Sequence, residues 1–340
     1  MGKQNKLLSL KNQSKREFLL NYALYFILGA MIIGIIIIDS TFLSPVNFIN
    51  VLKQASTRGI MALGVAGLII LQGTDLSAGR VMGLSAALSA SMLQSLTYGA
   101  RMYPELGDIN MLIPLAIAIL AGVVFGLING FGVAVLKIHA FIVTLGTQLI
   151  AFGLIQIYID SQAGGAQPLG SLAPKYINLV NGNVFGIPKL VIYLAIAAIV
   201  MYIIWNKTTL GKNMYAIGGN PEAAAVSGVN LVKNIMLIYL ISGIFYGVAG
   251  FLEAARIGSV NTNIGNAYEL DAISACVVGG VSFSGGVGTV PGVLIGTLIL
   301  QFIGYGLQYI GVNPYVQGIV KGIIIIVAVA IDVRKYLAKK

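Results

Sequence analysis

The sequence predicts an all-α polytopic membrane protein of about ten transmembrane helices, some of them broken, in a count compatible with two inverted five-helix halves. Three observations lead there. Hydrophobic residues make up 57% of the 340-residue chain and charged residues only 9%, with a mean hydropathy of +0.90. A soluble domain carries roughly 25% charged residues, and no water-soluble core of this length could bury so much apolar surface. The apolar residues also fall into ten runs divided by polar, Gly or Pro segments. Finally, the basic residues behind the net charge of +10 gather at the ends of those runs, as membrane topology requires. That placement argues against nucleic acid as a partner and makes lipid the solvent of most of the surface.

The runs are 18–38, 58–72, 79–97, 111–136, 139–159, 189–205, 234–255, 268–281, 287–306 and 316–332. A basic segment, 1–17, precedes the first. That run is longer than the 7–15 apolar residues of a signal-peptide core and no small-residue cleavage pattern follows, so it reads as a retained helix. Runs 58–72, 79–97 and 268–281 are short or interrupted by Gly and polar residues, and read as broken or tilted helices. Irregular backbone at membrane depth survives only inside protein or beside a water-filled cavity. With the N-terminus inside and sides alternating, the inner side collects Lys3, Lys6, Lys11, Lys15, Arg16, Arg80, Lys137, Lys207, Lys212, Lys233, Arg334, Lys335, Lys339 and Lys340. The outer side receives only Lys53, Arg58, Arg101, Lys175, Lys189 and Arg256. The bias puts both termini, the basic tail 333–340 and the loop 206–233 in the cytoplasm. The whole chain, 1–340, reads as one transmembrane domain. The longest outer loop, 160–188, is rich in Gly and Pro; it suits either a landing surface for an external partner or a plain solvated loop.

The inner loop contains a short helix with a polar start and a glycine stop. Asn220 suits the N-cap, Pro221 the first helical position, and Glu222 the positive end of the helix dipole. Ala223 and Ala224 continue it, and Gly228 can take the left-handed position that ends it. A helix of two turns is unstable alone, so it needs a partner surface.

Catalytic machinery is missing from the sequence. There is no G-x-x-x-x-G-K-[ST] to bind ATP, no nucleophile–base set, and one cysteine and one histidine, Cys276 and His139, rule out a multi-residue metal centre built on them. No cofactor is expected in this chain. The stretch Ser282 to Val287 superficially matches the L-S-G-G-Q element of ABC ATPases but lacks a P-loop. Polar groups at membrane depth are the remaining candidates for a solute path: Gln72, Thr74, Asp75 and Ser77 after the second run, and Ser282 and Ser284 in the glycine-rich stretch 279–288. A charge near the bilayer centre costs at least about 2.5–3.5 kcal/mol, so Asp75 either lines a wet path or caps the helix starting near Ser77. Glu253, Arg256, Glu269 and Asp271 bracket the seventh and eighth runs and read as ion pairs at the outer face. Lys321 reads as snorkelling from the last span, and Trp205 with Tyr202 as an interfacial anchor.

Several stretches resemble one family. Residues 222–228 read E-A-A-x-x-x-G, the form of the loop by which ABC permeases dock on their ATPases. Residues 62–69 (A-L-G-V-A-G-L-I), 72–80 (Q-G-T-D-L-S-A-G-R), 205–208, 211–213, 216–224, 268–273, 279–288 and 309–315 are similar to the ribose/galactose/xylose permeases of bacterial ABC importers. The fuller forms resemble the galactose/methyl-galactoside branch. The match covers roughly 20–335, and residues 231–236 lack the I-x-L-P ending of maltose-type permeases. The resemblance implies a permease homodimer in the bacterial inner membrane, an ATPase subunit with two fused nucleotide-binding domains that carries ATP-Mg, and a periplasmic sugar-binding protein. It implies docking through Gly219, Asn220, Pro221, Glu222, Ala223, Ala224 and Gly228. Another monosaccharide such as ribose is the alternative cargo; an ion-coupled secondary transporter using Asp75 is the alternative of another class, which would have no use for a docking helix.

Overall fold

The computed structural model describes the backbone of residues 26–337 and the side chains of 26–331. The basic segment 1–17 lies outside the described residues, and the basic tail 333–340 is described only as backbone to Leu337. The fold is helical. Helix α1 spans Phe26–Ile38, and a 3₁₀ turn, Ser40–Leu43, leads to α2, Pro45–Ile70. Then follow α3 (Ala78–Met92), α4 (Leu112–Ala134), α5 (Ala140–Asp160) and α6 (Pro174–Asn181). A two-strand hairpin, β1 (Asn183–Val184) and β2 (Ile187–Pro188), precedes α7 (Lys189–Lys207). The rest is α8 (Thr209–Gly219), α9 (Pro221–Val226), α10 (Leu231–Ile257), α11 (Tyr268–Val278), α12 (Val290–Tyr309) and α13 (Pro314–Leu337).

Each of the ten apolar runs overlaps a helix among the described residues, residues 18–25 of the first run lying outside them. Among the described residues, six helices are long and apolar enough to cross a membrane: α4, α5, α7, α10, α12 and the Pro314–Ile331 part of α13. Helices α3 and α11 have 15 and 11 residues, about 22 and 16 Å at 1.5 Å per residue, so each is shorter than the roughly 30 Å hydrocarbon core; their runs had read as broken or tilted helices. The second run is a correction. Helix α2 is not short; it has 26 residues and begins at Pro45, where Ser44 accepts a hydrogen bond from Asn47 N (3.4 Å). Lys53, Gln54 and Arg58 broke the apolar pattern, yet they lie within one continuous helix whose second half is almost wholly buried.

Helices α2 and α10 form the centre. The packing around them repeats: α2 lies on α11 and α12, as α10 lies on α3 and α4. In turn α3 touches α4 and α5, as α11 touches α12 and α13. Close approach comes from small residues, the general device where lipid offers no hydrophobic drive for association. Where α4 crosses α10, a Cβ on Gly122 would overlap the Gly243 carbonyl, and one on Gly243 the Gly122 carbonyl; Gly247 lies against Ala118 in the same way. In the outer loop, Phe185 and Gly186 (φ 50° and 81°) close the hairpin, with Phe185 fully exposed; positive φ at both central residues is what a tight two-residue turn needs.

Candidate functional site

Helix α9 has the start and stop that its sequence dictates. Asn220 Oδ1 accepts a hydrogen bond from Ala223 N (2.9 Å), and Pro221 opens the helix. At the other end Val229 N donates to Ala224 O and Gly228 N to Ala225 O, both at 3.0 Å, with Gly228 at φ 85°. These paired bonds around a left-handed glycine are the Schellman stop. Of the helix residues only Ala224 is buried; Glu222 is exposed and Val226 is 92% exposed. A six-residue helix held by caps rather than packing presents an open face.

The root of α9 is tied to the membrane helices. Gln72, at φ 63°, donates from Nε2 to Gly218 O (2.8 Å) and to Ser284 O (3.1 Å). Gly286 N donates to Ile70 O (2.9 Å) and Tyr215 OH to Gly288 O (2.9 Å). Where Gly218 meets Ile70 no side chain fits: a Cβ on Gly218 would overlap the Ile70 carbonyl. The end of α2, the end of α8 and the 279–288 loop are therefore one backbone-on-backbone joint.

The six polar candidates for a solute path do not form one site. Gln72 and Ser284 belong to this joint. Ser282 braces its loop: its carbonyl accepts from Gly285 N (3.1 Å) and its hydroxyl from Ser284 N (3.2 Å). Thr74 contributes its carbonyl to Thr144 Oγ1 (3.3 Å). Asp75 and Ser77 lie in a different, enclosed network. Asp75, 1% exposed, accepts at Oδ1 from Ser77 N (2.9 Å) and Ser77 Oγ (2.6 Å) and at Oδ2 from Tyr246 OH (3.1 Å). Asn129 Nδ2 donates to Ser77 Oγ (2.9 Å), and Thr147 Oγ1 to Asn129 Oδ1 (2.7 Å). This geometry favours the capping role for Asp75. Accordingly Asp75→Asn, which keeps the Oδ1 acceptor, is expected to leave solute uptake per inserted protein near normal. Asp75→Leu, which orphans the Tyr246 and Ser77 donors, is expected to cost about 1–3 kcal/mol and lower membrane abundance. An Asn variant inserted normally but slow in uptake would restore a direct role in the path.

A second buried cluster was read in the sequence only in part, as the Glu253–Arg256 pair. Glu253, fully buried, accepts from Arg256 Nε (2.6 Å) and Nη2 (2.9 Å) and from Thr57 Oγ1 (2.7 Å), and Arg58 Nη2 lies 3.7 Å away. Arg58, counted on the outer side as the first residue of the second run, sits instead halfway along α2 with its guanidinium over the Tyr268 ring. Arg80, assigned to the inner side, is buried near the start of α3 and donates to Ile264 O (3.2 Å) and Asn266 Oδ1 (2.8 Å). Of the expected pairs, Glu253–Arg256 forms, but Asp271 pairs with Lys321 (2.8 Å), so Lys321 is held rather than snorkelling. Glu269 takes Gln148 Nε2 (3.2 Å). Trp205 is 2% exposed and packs edge-on to Tyr215, so it is core rather than an interfacial anchor. Spacing gave one usable signal: Glu253 and Arg256 at i, i+3 face each other on a helix and can pair. Asn129, a lone carboxamide in an apolar helix, was another.

Comparisons agree with this architecture. Residues 47–329 match the family described as the branched-chain amino acid transport system / permease component. The chain is 52% identical over 341 residues to the galactose/methyl galactoside import permease protein of Haemophilus influenzae, covering 98% of this chain and 99% of that one. It is 49% identical to the protein of the same name from Escherichia coli K12, over 98% and 99% of the two chains. A ribose import permease protein of Bacillus subtilis is 35% identical over 91% and 92%. No solved structure matches the chain. A multi-pass helical chain that matches named import permeases over 98% of its length is a transport component rather than an enzyme, and it belongs to the family of branched-chain amino acid transport system permease components.

Proposed function

We infer that this chain is the membrane subunit of an ATP-driven sugar importer, with galactose and its methyl glycoside as cargo. The observation that carries the reading is end-to-end identity of about half to relatives named for that cargo, against about a third to a ribose permease. In this reading two copies form the path across the bacterial inner membrane, with both termini in the cytoplasm. A separate ATPase with two fused nucleotide-binding domains carries ATP-Mg and docks on α9, and a periplasmic sugar-binding protein delivers the cargo. The repeated packing of α2 with α11 and α12, and of α10 with α3 and α4, supports two inverted five-helix halves, because an odd number of spans reverses the second half.

The geometry supplies a mechanism for coupling. Movement of the ATPase tilts α9. Through Gly218 and Gly219 the tilt reaches the joint, where Gln72 and the Gly286–Ile70 bond leave no slack. It therefore displaces the inner end of α2 and the loop after α11 together. Gln72 and Ser284 serve as links in this train rather than as sugar contacts.

Proteoliposomes holding this chain, its ATPase and its binding protein test the reading. ATP should drive galactose uptake that excess ribose does not suppress and that survives collapse of ion gradients. A ribose preference would reassign the cargo; uptake that needs an ion gradient and no ATP would reassign the class.

A further inference from the structure

Polar side chains line one seam between the membrane helices. Asn50, Gln54 and Arg58 recur every four residues and share a face of α2; Gln301, Tyr305 and Gln308, at i, i+4 and i+7, share a face of α12. The two helices pack on each other, and Tyr305 ties the faces together. Its hydroxyl accepts from Asn50 Nδ2 (3.2 Å) and donates to Asn47 Oδ1 (3.0 Å). Polar side chains on a membrane span face the bundle interior or a water-filled cavity. Here they border two cavities. The larger, about 590 Å³, is lined by Asn50, Lys53 and Gln54 of α2 and by Tyr305 and Gln308 of α12. The smaller, about 130 Å³, is also lined by Gln54 and Gln308, and it reaches further along both helices, to Arg58 and Gln301. The shared residues join the two into one tapering space. Arg58 is eight residues along α2 from Asn50, about 12 Å at 1.5 Å per residue.

The wide end lies on the face opposite α9. Helix α2 ends, and α12 begins, at the joint under α9, so Asn50 and Gln308 stand at the far ends of both helices. With α9 in the cytoplasm the wide end opens outward. We propose that this funnel is the outer leg of the sugar path, running from Asn50 and Lys53 down between α2, α12 and α13 to Gln301. The funnel rests on the sugar-importer reading above, and it places the cargo on the second-half side of α2, away from Asp75 and Ser284. Carboxamides suit that cargo, since each offers donors and an acceptor to hydroxyl groups that do both. The charges on the wall suit it too. Arg256 is held by Glu253 and Lys321 by Asp271, which leaves Lys53 and Arg58 as surplus positive charge. Positive charge along a pore is a barrier to protons and metal cations, so a funnel open to the outside admits a neutral sugar without inviting a cation leak. Its closed end is held by the Lys321–Asp271 pair (2.8 Å), which links α13 to α11. Helix α11 leads into the joint, so that end lies within reach of the movement that α9 transmits.

Single cysteines read the funnel directly. Gln54→Cys and Gln308→Cys, in a Cys276→Ser background, replace side chains that hold no hydrogen bond among the described residues, so little folding cost is expected. The complete importer in right-side-out proteoliposomes is treated from outside with a membrane-impermeant anionic methanethiosulfonate. Both variants are expected to react, and the reaction is expected to remove most of the ATP-driven galactose uptake. Ile326→Cys is the control: Ile326 is 70% exposed on α13 and does not line the funnel, so it faces hydrocarbon and is expected to stay unreacted. A Gln54→Cys protein that the reagent does not reach, or that reacts with uptake intact, overturns the funnel as the sugar path. A wild-type importer that moves no galactose defeats the importer reading instead. Labelling is read without transport, so the two failures are distinguishable.

Discussion

Glu253→Gln is expected to lower the amount of folded protein in the membrane many-fold. The carboxylate is fully buried and receives three hydrogen bonds, two from Arg256 and one from Thr57, with the Arg58 guanidinium 3.7 Å away. Gln keeps the size but removes the charge, leaving Arg58 and Arg256 without a counter-ion in a region that water barely reaches. Removing one partner of a buried pair costs about 3–5 kcal/mol, and about 1.4 kcal/mol is already tenfold in an equilibrium. Arg256→Gln is expected to be milder, because Glu253 keeps Arg58 and Thr57. Thermal unfolding of purified protein in detergent, with membrane abundance beside it, checks the order. Equal stability of Glu253→Gln and wild type would mean that the cluster is wet and carries little.

A comparable loss is expected for Gly243→Val. At the α4–α10 crossing a Cβ on Gly243 meets the Gly122 backbone, and no flexible side chain stands there to give way. Overpacking costs typically about 1–3 kcal/mol, and backbone against backbone belongs at the upper end. The helices would have to separate, which would disturb Asn129 and Tyr246 on the same pair and with them the Asp75 network. Gly318→Ala is the control: a Cβ there meets nothing within 4 Å, and alanine gains about 1 kcal/mol of helix propensity. Abundance and unfolding temperature should fall for the first and hold or rise for the second.

Local chemistry was readable in the sequence and long-range pairing was not. Helix α9 could be read to the residue because caps are local: Asn220, Pro221 and Gly228 each act within four positions of where they stand. That α3 and α11 fall short of a full span was legible from the glycine and polar interruptions in their runs. What hid the first part of α2 was that Lys53, Gln54 and Arg58 look like a loop until the partners are known; Glu253 is 195 positions from Arg58, and no periodicity reports it. The split of the path candidates has the same origin. Gln72 and Asp75 are three residues apart, but the left-handed backbone at Gln72 turns one toward Gly218 and the other toward Tyr246. Lys321 could be placed in the last span, but its bond to Asp271 depends on how α13 lies against α11.

Coupling through α9 is tested most directly at Gly228, where φ is 85° and a Cβ would meet no neighbour. Any effect of substitution there is therefore backbone strain at the helix stop, which a β-branched residue suffers far more than alanine. The measurement is galactose-stimulated ATP hydrolysis by the reconstituted importer, with permease insertion quantified alongside. Gly228→Val is expected to insert normally and lose most of the stimulation, with Gly228→Ala in between. Full stimulation in an inserted Gly228→Val permease would contradict the assignment of α9 as the docking helix.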